Sequence, residues 1–231
     1  MSRISEGKRI GFLCSGNGHI FRKTCEAMKK GILNSEVVVC IVDRPCGSEI
    51  LTRSLGIPLI RVFRRDYKDR VVFSNAILEQ IVRFRVDAVG LTFDSLLEGP
   101  LLEMYGNKMM NVHPALLPAF PGLNAVKKAK DSHALYGGAT IHLVDGKMDH
   151  GPIVSQGIVP IHPEKSPQSY DDQIFQMCYM QLIQALKWFE EDRIKIGEKR
   201  VIIQDGHYGG LPFSPALEIP SLLKPMNGWN P

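Results

Sequence analysis

The run Glu36-Val37-Val38-Val39-Cys40-Ile41-Val42, rich in β-branched side chains, is the clearest strand in the sequence and constrains the fold more than any other stretch. Around it, short apolar runs alternate with amphipathic ones. Residues 9–14 read as a buried strand, 20–30 as a helix, 47–55 as a helix stopped by Gly56, and 57–62 as a strand. Residues 67–84 then place Val71, Val72, Ala76, Ile77, Ile81 and Val82 near helical spacing, and 86–91 return to strand. Such alternation predicts an α/β fold, a doubly wound and mostly parallel sheet with right-handed crossovers. Ligands on such sheets sit beyond the carboxyl ends of strands, where the strand order reverses.

The second half is built differently. A strand over 108–113 ends in polar side chains and is followed by a proline-punctuated loop through Gly122. Two strands, 138–144 and 152–159, flank a tight polar turn, and a long helix covers about 168–192. Beyond Arg200 the chain carries Gly209-Gly210, five prolines and Trp229 without periodicity, so an irregular tail lying over the surface is expected. The expected organisation is one domain over 1–200, made of two halves (1–107 and 108–200), then a tail over 201–231.

With 231 residues, 44% apolar and 23% charged, the chain has room for one well-filled core or two closely fused halves. No stretch approaches the roughly 20 apolar residues of a membrane span, and residues 1–9 lack the apolar core of a secretory signal. A cytoplasmic protein with no membrane partner is expected. Five scattered cysteines without CxxC spacing read as reduced packing thiols, and no metal is expected. A net charge of +4 suits an anionic small substrate; nucleic acid is not expected as a partner, and monomer and homodimer both stay open.

Ser15-Gly16-Asn17-Gly18-His19 sits where the first strand hands over to a helix. Glycines there allow close backbone approach to a ligand, and free helix N–H groups attract an anion. A dinucleotide fingerprint would need glycine at position 21, where Phe21 stands. An anion site and a plain tight turn are the two readings.

The strongest chemical signal is Asn111-Val112-His113-Pro114 together with Met148-Asp149-His150-Gly151-Pro152. Residues two apart on a strand face the same way, so Asn111 and His113 project together at the strand's carboxyl end. A carboxamide beside an imidazolium suits the oxyanion of a tetrahedral intermediate. Asp149, in the turn between two strands, is the carboxylate available to hold His113 protonated and to relay a proton. Taken singly, a turn aspartate or a strand-end histidine is more often structural; the combination carries the signal.

Asn111-Val112-His113-Pro114-Ala115-Leu116-Leu117-Pro118, Phe120-Pro121-Gly122, the run over 138–144 and Met148 to Val154 resemble the folate-dependent formyltransferases, most closely those acting on glycinamide ribonucleotide. Asp149 lies 36 positions after His113, which matches that family. The resemblance covers most of residues 9–200. It implies a Rossmann-like formyltransferase fold and the use of 10-formyltetrahydrofolate as co-substrate, with Asn111, His113 and Asp149 catalytic. It further implies a donor pocket formed by Phe93, Asp94, Ser95, Leu96 and Leu97 with the loop Val144, Asp145, Gly146, Lys147 and Met148. The acceptor, a small amine, would be bound by Gly16, Asn17, Gly18, His19 and Ile20, with Cys178 on the long helix. The sequence departs from the family at three places. His19-Ile20 replaces a Ser-Asn pair, Cys178-Tyr179 replaces a Glu-His pair, and Ser95 replaces an arginine. The chemistry is thus expected to be retained on a rebuilt acceptor pocket. Transfer to water, or folate or nucleotide binding without catalysis, are the alternatives.

Overall fold

A computed structural model describes residues 7–162, 164, 166–198, 200–210 and 212–223. The chain divides into two compact units, Met1–Met109 and Met110–Pro231.

In the first unit the elements follow as β1 (Arg9–Cys14), α1 (His19–Lys29), β2 (Glu36–Val42), α2 (Ser48–Ser54), β3 (Leu59–Arg61), α3 (Arg70–Arg83), β4 (Ala88–Thr92) and α4 (Pro100–Tyr105). The four strands pair in parallel in the order β4-β1-β2-β3. Val38 to Val42 are all buried, as a strand covered on both faces must be. Gly90 on β4 leaves the space that the Phe12 ring fills, and Phe12 in turn packs on Phe21 at 5.0 Å between ring centres. Position 21, where a dinucleotide fold would want glycine, is therefore core. Helix α3 begins at Arg70 rather than 67 because the Asp69 carboxylate caps it, accepting from the Val71 and Val72 amides at 2.7 and 3.1 Å. Helix α4, not foreseen, starts at Gly99-Pro100, with Gly99 at φ 70 and proline in the first turn.

The second unit begins within β5 (Met109–His113) and continues as α5 (Ala125–Asp131), β6 (Tyr136–Leu143), β7 (Ile153–Pro160), α6 (Pro167–Glu190), β8 (Ile194–Ile196), β9 (Val201–Ile203), β10 (Phe213–Ser214) and α7 (Pro220–Leu223). Here the strands pair antiparallel in the order β5-β6-β7-β10, and β8 with β9 forms a separate hairpin. Helix α6 starts on the Ser166 cap with Pro167 behind it, and lays Ile174, Met177, Leu182 and Trp188 into the core against β6 and β7. Gln181 fastens it to the sheet. Its amide donates to the Ala139 carbonyl at 3.2 Å and its carbonyl accepts from the Ser155 hydroxyl at 3.0 Å. A side chain at Gly138 would collide with the Gly157 carbonyl on the neighbouring strand.

The segment after Arg200 is irregular over much of its length, as expected, but it does more than lie over the surface. Phe213 is buried and pairs with Gly157 as the edge of the sheet. The buried Gln184 carbonyl accepts the Glu218 and Ile219 amides at 2.7 and 3.1 Å. Arg193 holds Glu218 with two hydrogen bonds, at 2.5 and 2.8 Å. Trp229 lies outside the described residues. None of the described helices is long and apolar enough to cross a membrane.

Candidate active site

The pairing of β5 with β6 sets Asn111 directly opposite His142, and His113 opposite Thr140. The Thr140 hydroxyl donates to the Ala115 carbonyl at 2.7 Å and accepts the Leu117 amide at 3.1 Å, which pins the chain as it leaves β5. Beyond β6, the loop to β7 turns through Gly146 (φ 87) and Asp149 (φ 51) and carries the Asp149 carboxylate back over the strand end. Asp149 Oδ2 lies 3.2 Å from His113 Nδ1, and Oδ1 lies 3.5 Å from Asn111 Nδ2 and 3.6 Å from His142 Nε2. The Gly122 amide donates to Oδ2 at 2.7 Å. The side chains of His113 and Asp149 are only 6% and 10% exposed, so these contacts are weakly screened.

Hydrogen positions follow from the partners. His113 Nε2 faces the Phe120 carbonyl at 3.0 Å and Nδ1 faces the Asp149 carboxylate; both partners only accept, so the arrangement suits a ring with hydrogen on both nitrogens, the imidazolium. Burial alone would push the Asp149 carboxyl up. The contact with His113 and the bond from the Gly122 amide outweigh it and hold this group far below the usual carboxylate range. The result is a buried ion pair whose carboxylate is further held by a backbone amide, the condition under which such a pair persists.

The other residues named from sequence are distributed as follows. Lys147 and Met148 are exposed, and Asp145 shapes their turn by accepting the Lys147 amide at 3.1 Å and bonding His150 Nδ1 at 2.7 Å. His150 is thus a partner of Asp145 and makes no described bond to Asp149. In the first unit, Gly16 and Asn17 are exposed while Gly18, at φ 71, begins α1. The Gly16 carbonyl accepts the Ser48 hydroxyl at 2.6 Å, so this loop is latched to the start of α2. His19 is exposed and Ile20 half-buried. Phe93 stacks on Phe73 with 6.3 Å between ring centres. Leu96 is half-buried, whereas Leu97 is core. The Ser95 hydroxyl is committed to the buried Asp43 carboxylate at 2.6 Å, and Arg44 bridges Asp43 to the exposed Asp94. Cys178 is corrected: it is 2% exposed on the core face of α6, burial lifts its thiol to about 12, and it offers no surface to an acceptor. The five cysteines are free and all but Cys46 are buried, in keeping with packing thiols. No group of three His, Cys, Asp or Glu among the described residues is placed to hold a metal.

Two groups at the site escaped the sequence reading, the Phe120 carbonyl and the Gly122 amide. Both are backbone atoms, and only the Phe120-Pro121-Gly122 punctuation hinted at a special path there.

A strand-end histidine held by a buried carboxylate, with a carboxamide beside it, is a set of groups able to stabilise an oxyanion. The sequence model of the family described as Formyl transferase matches residues 8–186, and the chain belongs to that family. It is 30% identical over 172 residues to the phosphoribosylglycinamide formyltransferase of Bacillus subtilis (strain 168), covering 74% of this chain and 88% of that one. Its fold superposes on the glycinamide ribonucleotide transformylase 1 of Symbiobacterium toebii with a TM-score of 0.82 and 31% identity, over 87% of this chain and 96% of the other. The expected fold class is borne out by that match. A formyltetrahydrofolate deformylase from Pseudomonas syringae shares the fold alone, with a TM-score of 0.79 at 21% identity over 87% of this chain and 67% of that one.

Proposed function

We propose that the chain moves a formyl group from 10-formyltetrahydrofolate to the primary amine of glycinamide ribonucleotide or a closely related anionic amine. Family membership supports the chemistry, and the observation that carries the site is the Asp149 carboxylate bonded to His113 with Asn111 alongside.

The acceptor amine attacks the formyl carbon, and negative charge develops on the formyl oxygen. His113 Nε2–H, now spent on the Phe120 carbonyl, is the charged donor that turns to this oxyanion. Asn111 supplies a second donor from its amide nitrogen. As the bond to the folate nitrogen breaks, a proton passes from the attacking amine to that nitrogen, with Asp149 or a water beside it as the relay. Asp149 stays ionised in the resting site and keeps His113 charged.

Arg22 and Lys23, the basic residues behind the Gly16–Gly18 loop, both pair with Glu26. An anionic acceptor would rely on the backbone of that loop more than on those cations. Residues 93–97 of the first unit and 144–148 of the second are each candidates for contact with the donor, in keeping with the family resemblance.

Ultraviolet assay of donor consumption tests the reading, with glycinamide ribonucleotide, with a panel of other amines, and with no amine. Consumption that requires glycinamide ribonucleotide or a related amine is the expected result. Formate release without amine would replace the transferase by a hydrolase, and binding without turnover would replace both. Asn111→Ala and His113→Ala should each lower kcat about a hundredfold or more while leaving the circular dichroism spectrum unchanged.

A further inference from the structure

His142 has no assigned part in the transfer, yet it is buried and stands against both Asn111 and Asp149. We infer that His142 is a positioning residue: held as the neutral Nδ1–H tautomer, it locks the Asn111 carboxamide with its NH2 side turned toward Asp149 and the reacting oxygen. The inference rests on the reading of Asn111 as an oxyanion donor.

The tautomer follows from one contact. His142 Nδ1 lies 2.8 Å from the Leu143 carbonyl, which only accepts, so Nδ1 carries the ring hydrogen. In the neutral ring Nε2 then has a lone pair, and it faces Asn111 Nδ2 at 3.0 Å. That lone pair takes one amide hydrogen and rejects the carbonyl end of the carboxamide. The second Nδ2 hydrogen points toward Asp149 Oδ1 at 3.5 Å, a long and weak contact that an oxyanion displaces easily. Without this lock the amide can turn by 180°, presenting its oxygen to a developing negative charge.

Protonation of His142 reverses the arrangement. The groups facing the ring are the Asp149 carboxylate at 3.6 Å, the His113 imidazolium on the far side of that carboxylate, and the apolar Ile153 paired beside it on β7. A hydrogen added to Nε2 would turn to Asp149 Oδ1 and repel Asn111 Nδ2, so the carboxamide flips and donor capacity is lost as the pH falls. Glutamine at 142 keeps an acceptor oxygen near the Nε2 position and has no proton to gain.

Three measurements test this. Nitrogen NMR of the histidine rings, which needs no turnover, should show His142 as the Nδ1–H tautomer at neutral pH; an Nε2–H tautomer or an imidazolium would overturn the inference. His142→Leu should lower kcat about ten- to a hundredfold, up to the worth of one oxyanion donor, with KM for the donor near wild type. His142→Gln should recover most of that loss, and its acid limb of kcat should lie at lower pH than the wild-type limb. Equal losses in the two variants, or an acid limb unmoved by glutamine, would show that His142 only fills space. If Asn111→Ala turns over normally, the oxyanion assignment fails, and the ring spectrum still decides the tautomer.

Discussion

Gly122 donates its amide hydrogen to Asp149 at 2.7 Å, on the same carboxylate oxygen that faces His113 Nδ1 at 3.2 Å. A backbone group 27 positions away in the chain thus fixes the carboxylate that keeps the histidine charged. Asp149→Asn leaves the shape almost unchanged but removes the charge, and its amide can place a donor against the imidazole. We expect kcat to fall at least a hundredfold, comparable to losing an oxyanion donor, with unchanged secondary structure by circular dichroism. Near-normal turnover would remove Asp149 from the mechanism.

The same carboxylate should mark the pH dependence of folding. Its folded form titrates far below the ordinary value of 3.8, so the unfolded chain binds the proton more readily. The stabilisation is therefore full above pH 3.8 and is lost as pH falls below it. Melting temperatures of wild type and Asp149→Asn, compared between neutral and acid pH, should converge as the pH drops. A gap that stays constant would mean the ion pair contributes nothing to folding.

In the first unit, Asp43 has no exposed side-chain surface and accepts from Arg44 on both oxygens, at 3.1 and 3.0 Å, and from Ser95 at 2.6 Å. Asp43→Ala should cost about 2–3 kcal/mol, since it removes the buried acceptor of the Ser95 hydroxyl and of the exposed Arg44 guanidinium, which keeps Asp94. Ser95→Ala should cost only about 1–2 kcal/mol, and the double variant less than the sum. Urea unfolding of the three variants measures this; additive losses would separate the two contacts.

The tail offers a fourth test. The Gln184 carbonyl accepts two amides, from Glu218 and Ile219, inside a fully buried side chain. Gln184→Leu leaves both donors without that acceptor and should destabilise by about 1–3 kcal/mol. Limited proteolysis should then cut beyond residue 204 faster than in wild type. Unchanged cleavage would show that Arg193 and Glu218 suffice to hold the segment.

The elements that were legible from sequence are those with strong local codes. Strand β2 announced itself by β-branched composition, α6 by length and period, and the strand-end pair Asn111 and His113 by the two-residue repeat of a strand. Helix α3 was read three residues early because the capping role of Asp69 depends on where the chain stops being extended. Strand β10 was missed because two residues carry no periodicity; Phe213 becomes a strand only when β7 offers it a partner. Cys178 was assigned to the acceptor by position alone, and burial on α6 overrules that.

What the sequence determined by itself is local and chemical. Apolar period sets strand or helix, and the residue types at 111, 113 and 149 set the functional groups available, because both are written in neighbouring side chains. The tertiary structure decided which groups meet and in what protonation state. The charge on His113 depends on the Phe120 carbonyl and the Asp149 carboxylate arriving at opposite ring nitrogens, and the tautomer of His142 on the carbonyl that follows it. Backbone atoms carry no residue identity, so their part in a site becomes readable only when the chain has folded around it.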